Sequence, residues 1–149
     1  MSAYISNKRA RFDFEVLEEF EAGLVLSGHE VKSIRSNKGK LEGGHVIIRG
    51  KEAFLVGTSI PPYQAANTPK NYDPERARKL LLTQKELAEL ERKGEQAGLT
   101  IVPLSLYNKG RNIKLSLALA RGKKKADKRE SLKERDSKRA IERILKNQN

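Results

Sequence analysis

Cysteine and tryptophan are absent from this chain of 149 residues, and it has only two histidines, one methionine and five prolines. Without cysteine there is no disulfide and no thiolate-ligated zinc, which fits a reducing compartment and predicts a cytoplasmic protein. General acid–base catalysis most often uses histidine, and only His29 and His45 exist. Each has a carboxylate nearby, Glu30 and Glu42, but nothing gives metal-ligand spacing. No nucleophile stands out, so no catalytic residue and no metal are expected. Gly39, Gly43 and Gly44 do not form a dinucleotide fingerprint, and no phosphate-loop motif occurs, so no cofactor is expected. No stretch approaches the ~20 apolar residues of a transmembrane helix, and Met1 to Arg11 lacks the apolar run of a signal peptide.

What the chain has is positive charge. It carries 31 Lys and Arg against 19 Asp and Glu, net +12, with a pI near 10.0. That is the footprint of a nucleic-acid binder, and an acidic membrane surface is the other natural partner. More than half of the excess lies in residues 121–149, which are net +7. After Gly122 this tail has no Gly and no Pro, and too few apolar residues for a core. Its residues are good helix formers. Asp127 with Glu130 and Ser131 with Glu134 have capping-box spacing, and Glu134–Lys138 and Glu142–Lys146 are favourable i,i+4 pairs. An isolated helix of this length is marginal in water. The tail therefore reads as helical when docked on a polyanion, or else as a solvated basic tail.

Residues 1–120 form the expected folded domain, net +5. Met1 to Arg11 is a short basic arm. Phe12, Phe14 and Val16 alternate with acidic residues as a strand with one buried face, resuming at Phe20, Ala22 and Leu24. Gly23 predicts a bulge or a close approach, and Leu24 to Leu26 read as buried on both sides. Val31 and Ile34 mark a short helix ending near Gly39, with Lys32, Arg35 and Lys38 on its other faces. Val46–Ile48 and Ala53–Val56 are strands joined by a tight turn at Arg49-Gly50-Lys51. A loop then holds four prolines with Tyr63, Asn67 and Tyr72. Its aromatics, beside Arg76, Arg78 and Lys79, suit base stacking and phosphate contact, or simply pin the loop to the domain.

Thr83 with Glu86 opens a helix whose face is Leu87, Leu90, Gly94 and Ala97, with Gly98 as its terminating glycine. Leu99–Tyr107 and Arg111–Ala120 follow as strands, turned at Asn108-Lys109-Gly110. In the second strand Ile113, Leu115, Leu117 and Leu119 alternate with polar or small residues. The predicted fold is mainly β: an OB-like antiparallel barrel with two or three helices. A half-open sheet packed by helices is the alternative.

Several stretches resemble one family, small protein B, the SsrA-binding proteins. They are NKRAR (Asn7–Arg11), EEFEAGLVLSGHEVKSIR (Glu18–Arg35), DPERARKLLL (Asp73–Leu82), GLTIVPLSLY (Gly98–Tyr107), LARGKKKADKR (Leu119–Arg129) and LKERD (Leu132–Asp136). They run in order along nearly the entire chain. A monomer is expected, and the resemblance implies that its barrel binds the tRNA-like domain of tmRNA, which then enters the A site of a stalled ribosome. By position it implies RNA contacts at Glu21, Leu81 and Lys114. The basic residues Lys8, Arg9, Arg78 and Lys79 are further candidates for the same RNA. In the tail, Gly122, Lys123 and Lys124 lead to the Asp127-Lys128-Arg129 motif, and Lys133, Arg135, Lys138, Arg139 and Arg143 follow. By resemblance the tail lies in the empty mRNA channel, beside the decoding centre of 16S rRNA. The chain departs from the family pattern at Ala126, where an aromatic residue or His is usual, and at Phe12, where His is usual. A general RNA-binding or ribosomal structural protein is the other function class.

Overall fold

The computed structural model describes residues 3–64, 66 and 68–124. The tail residues Asp127, Lys128, Arg129, Lys133, Arg135, Lys138, Arg139 and Arg143, with Ala126 and the loop residue Asn67, lie outside them.

The elements in chain order are β1 (Ile5–Ser6), α1 (Ala10–Asp13), β2 (Phe14–Leu24), α2 (Gly28–Arg35) and β3 (His45–Arg49). They continue with β4 (Glu52–Val56), β5 (Arg78–Leu81), α3 (Gln84–Gly94), β6 (Leu99–Lys109) and β7 (Asn112–Gly122). All ladders are antiparallel, in one seven-stranded sheet ordered β1-β6-β7-β2-β5-β4-β3. The sheet curls until β3 packs near β6, with no ladder between them, and α3 lies beside that gap. This is the OB-like arrangement, unclosed by hydrogen bonds on one side.

Alternation along β7 fixes which face is inside. Leu115 and Leu117 are fully buried, opposite Ala22 and Phe20 of β2, and the core continues through Leu106, Ile34, Leu55 and Leu90. Past Leu117 the alternation stops mattering, because Ala118 and Ala120 are buried too. They form a second, smaller cluster with Ala10, Val102 and Leu104 on the outer face. Two alanines leave room there for α1 to lie on the sheet. That is why the strand expected from Phe12 starts only at Phe14: residues 10–13 turn helical to seat Ala10. β7 also runs through Arg121 and Gly122, two residues past the expected end of the domain.

Other expectations shift locally. The β2 bulge falls between Val16 and Glu18, leaving Leu17 exposed, whereas Gly23 is the site of close approach. Val25 is exposed rather than buried, because β2 has ended and only its N–H is held, by the Lys79 carbonyl. α3 ends at Gly94, so Ala97 sits in the following loop, exposed. The β3–β4 turn places Gly50 at φ +55° and Lys51 at φ +66°, the two left-handed residues of a type I′ hairpin.

The proline loop, α2 and β5 meet at one buried ion cluster. Glu30 and Arg78 both have fully buried side chains. Arg78 Nη2 and Nε donate to Glu30 Oε2 at 2.8 and 3.0 Å. Arg76 bonds both carboxylate oxygens, and the Ser27 N–H donates to Oε1 at 2.9 Å, an N-terminal cap on α2. Arg78 Nη2 also donates to the Pro74 carbonyl at 2.9 Å and to the Tyr72 hydroxyl at 2.9 Å. The Tyr72 hydroxyl in turn lies 2.7 Å from the Ile60 carbonyl. Tyr72 thus pins the loop, the structural one of its two readings. Burial alone would raise the Glu30 pKa, but the bonds from Arg76, the Ser27 N–H and Arg78 outweigh it and hold it at about 2.

Removing one member of a buried pair leaves the other charge uncompensated, at a cost of about 3–5 kcal/mol. Arg78→Met is expected to destabilise the protein by that order in urea unfolding. Lys79→Ala, which loses only an exposed pair with Glu52, is expected to change stability by less than about 1 kcal/mol. Because the folded Glu30 pKa is depressed, its stabilisation is complete above the unfolded pKa of about 4.5 and disappears as pH falls toward 2. The drop in stability between pH 7 and pH 3 is therefore expected to shrink in Glu30→Gln.

Candidate nucleic-acid interface

Strand register brings three distant residues to one patch of the outer face. Gly23 of β2 is paired with Leu81 of β5 on one side and Lys114 of β7 on the other. Glu21, two residues earlier on the same face, is opposite Ser116. Gly23 permits this crowding. A Cβ there would lie 3.3 Å from Leu81 Cβ and 3.5 Å from Lys114 Nζ. Leu81 is 54% exposed, an apolar side chain set among polar neighbours on a surface. Lys114 forms no ion pair among the described residues.

Glu21 is held from β6. The Tyr107 hydroxyl donates to its Oε2, and Lys109 Nζ lies 2.9 Å from its Oε1. The Tyr107 hydroxyl and the Lys109 ammonium hold the Glu21 carboxyl below the usual carboxylate range. It is ionised at neutral pH and accepts hydrogen bonds, while burial and Glu21 together push the Tyr107 phenol upward. Tyr107 and Lys109 are not among the residues expected from the sequence. Counting back from the β6–β7 turn would have found Tyr107, because it faces Lys114 directly across the hairpin.

The remaining candidates divide. Lys79 shares Leu81's exposed face of β5 and is 3.1 Å from Glu52. Arg78 points the other way and has no exposed surface, so it cannot reach a phosphate; alternation along β5 dictates this. Lys8 and Arg9 are not on the patch. Arg9 lines a hollow with Gly122 and Lys123, beyond the far end of β7 from Lys114, roughly 27 Å along the strand. There the Lys123 N–H donates to the Asp13 carbonyl at 2.9 Å and Lys123 Nζ to the Arg11 carbonyl at 2.8 Å, fixing the strand end to α1. Lys124 follows, exposed. Tyr63 is exposed, with Lys38 Nζ 5.4 Å from its ring centre. His29 packs edge-on against Tyr72, and Glu30 is taken up by the arginines. No group of three or more His, Cys, Asp or Glu that could hold a metal occurs among the described residues. No helix among them is long and apolar enough to cross a membrane.

The chain has known relatives. The family model for the SmpB protein matches residues 4–147. An SsrA-binding protein of Thermosynechococcus vestitus is 52% identical over 140 residues, 94% of this chain and 92% of that protein. One from Paraburkholderia xenovorans is 46% identical over 142 residues, covering 95% and 96%. Among solved structures, a chain from "tmRNA-SmpB: a journey to the center of the bacterial ribosome" superposes with a TM-score of 0.69 at 43% identity. The match covers 86% of this chain and 93% of that one.

Tyr107→Phe removes the strongest influence on Glu21 without emptying the site. The Glu21 carboxyl pKa, followed by NMR titration, is expected to rise toward the ordinary carboxylate value with the fold unchanged. An unmoved pKa would detach Tyr107 from the patch.

Proposed function

This chain belongs to the SmpB protein family, and from that premise we propose that it binds the tRNA-like domain of tmRNA and delivers it to stalled ribosomes for trans-translation. It acts as a cytoplasmic binding protein rather than as an enzyme. The observation that carries the RNA-contact assignment is the convergence of Glu21, Leu81 and Lys114 around Gly23. The three offer complementary chemistry. Lys114 supplies a cation for a phosphate, Glu21 a fixed acceptor for a base amino group, and Leu81 an apolar surface for a ribose or base. Lys79 flanks them on β5.

The second half of the proposal concerns the chain beyond β7. Gly122, Lys123 and Lys124 lie beside α1, away from the patch, which supports a separation of RNA reading from tail action. The tail enters the empty mRNA channel, where rRNA phosphates favour cations on every side. Lys128, Arg129, Lys133, Arg135, Lys138, Arg139 and Arg143 would surround a helix rather than form one stripe. Lys8 and Arg9 belong with this ribosome-facing end.

In a binding assay, the tRNA-like domain should bind far more tightly than an unrelated hairpin RNA; equal affinities would favour a general RNA binder. Lys114→Ala should lower affinity and flatten the salt dependence by about one unit of slope if one phosphate contact is lost. Truncation after Lys124 should leave tmRNA affinity nearly unchanged. Lys138→Pro, and joint replacement of Asp127, Lys128 and Arg129 by Ala, should keep tmRNA binding but abolish tagging in a rescue assay on truncated mRNA. Normal tagging by the proline variant would contradict a helical tail.

A further inference from the structure

The patch around Gly23 does not end at Lys114. It opens into a cleft of ≈ 350 Å³ between α2 and the start of β7. The floor is apolar, with the half-buried Leu26 and Val31 and the buried Ile113. The rim is cationic, with Arg35, Arg111 and Lys114, and no carboxylate lines it. Elsewhere on the barrel several cations are matched to acids, as in Arg11–Glu19, Lys79–Glu52, Lys93–Glu18 and Lys109–Glu21. None of the three rim cations has an ion pair among the described residues.

The cleft is built rather than accidental. Val31 and Arg35 are four apart on α2 and so share a face. Arg35 Nη2 donates to the Arg111 carbonyl at 3.0 Å, tying the last turn of the helix to the β6–β7 turn. The other end of α2 is fixed by Glu30 in the buried ion cluster. The cleft width is thereby set from both ends of the helix. Its volume lies within the range of sites that hold small ligands.

An apolar slot with a cationic rim suits a flat aromatic ring that carries a phosphate. Helical RNA cannot offer that, because its bases are stacked and paired, but a loop nucleotide turned out of the stack can. We infer that this cleft receives one unstacked nucleotide of the bound RNA, its base against Leu26, Val31 and Ile113 and its phosphate at Arg35 and Arg111. The inference rests on the proposed binding of the tRNA-like domain. Because Lys114 and Leu81 also line the cleft, the same RNA strand reaches it without leaving the surface.

The test is methyl NMR on the wild-type protein titrated with the tRNA-like domain of tmRNA, with adenosine monophosphate as a separate arm. Ring-current shifts of the Leu26, Val31 and Ile113 methyls on adding RNA are the expected result. Val31→Trp, which fills the slot, should weaken RNA binding about tenfold, in line with loss of one base contact. Arg35→Ala should reduce the salt slope. If the RNA binds and shifts Leu81 but leaves the three floor residues unmoved, the cleft is not a nucleotide site, although the proposed function stands. Shifts with adenosine monophosphate but not with RNA would also overturn the inference. If the wild-type protein does not bind the RNA at all, the proposed function fails and takes the cleft with it. The wild-type titration decides the matter even if Val31→Trp fails to fold.

Discussion

The ion pair between Glu30 and Arg78 is the interaction on which the surface of this protein depends. Burying two charges costs several kcal/mol each, and the pair is tolerated only because further bonds complete it. Both Glu30 oxygens are shared among Arg76, Arg78 and Ser27, and Arg78 spends its remaining capacity on the Pro74 carbonyl, the Thr58 carbonyl and Tyr72. One cluster therefore fixes a helix, a proline-rich loop and a strand relative to each other. Leu81 is three residues from Arg78 on β5, and Arg35 is five from Glu30 on α2. Loss of the cluster would release both sides of the proposed RNA surface at once.

A second constraint is the absence of a side chain at Gly23. Any larger residue would have to push against the Leu81 Cβ at 3.3 Å, which is set on a strand and cannot swing aside. The hydrophobic core below keeps Ala22, Leu115 and Leu80 inward. Their neighbours Glu21, Gly23, Lys114 and Leu81 must then face outward. The same alternation that builds the barrel thus presents the patch. Arg35, Arg111 and Lys114 form no ion pair among the described residues and come together at one cleft.

Local signals were legible in the sequence. The Thr83–Glu86 capping box is formed, the β3–β4 hairpin turns at Gly50-Lys51, and the alternation from Ile113 sets the inward face of β7. Where a second packing layer intervened, the sequence misled. Phe12 looks like a strand residue by alternation, but Ala118 and Ala120 draw residues 10–13 into a helix. Arg78 illustrates a different limit. Its basicity beside aromatics suggested RNA contact, yet its partner Glu30 is 48 positions away and no short-range pattern links them. Glu21, Leu81 and Lys114 were legible only through family resemblance, because their meeting depends on the β2–β5 and β2–β7 registers. Tyr107 was within reach of the hairpin count and was missed.

The account's central claim is that the outer face of β2, β5 and β7, braced by the buried cluster, is the RNA-contacting surface. Ultraviolet cross-linking of the full chain to tmRNA, followed by mass spectrometry of the cross-linked peptides, addresses it directly. The account predicts cross-links concentrated in the peptides holding Glu21–Leu26, Lys79–Leu81 and Arg111–Lys114. Cross-links concentrated instead on the exposed face of α3 or on the β3–β4 turn would contradict it.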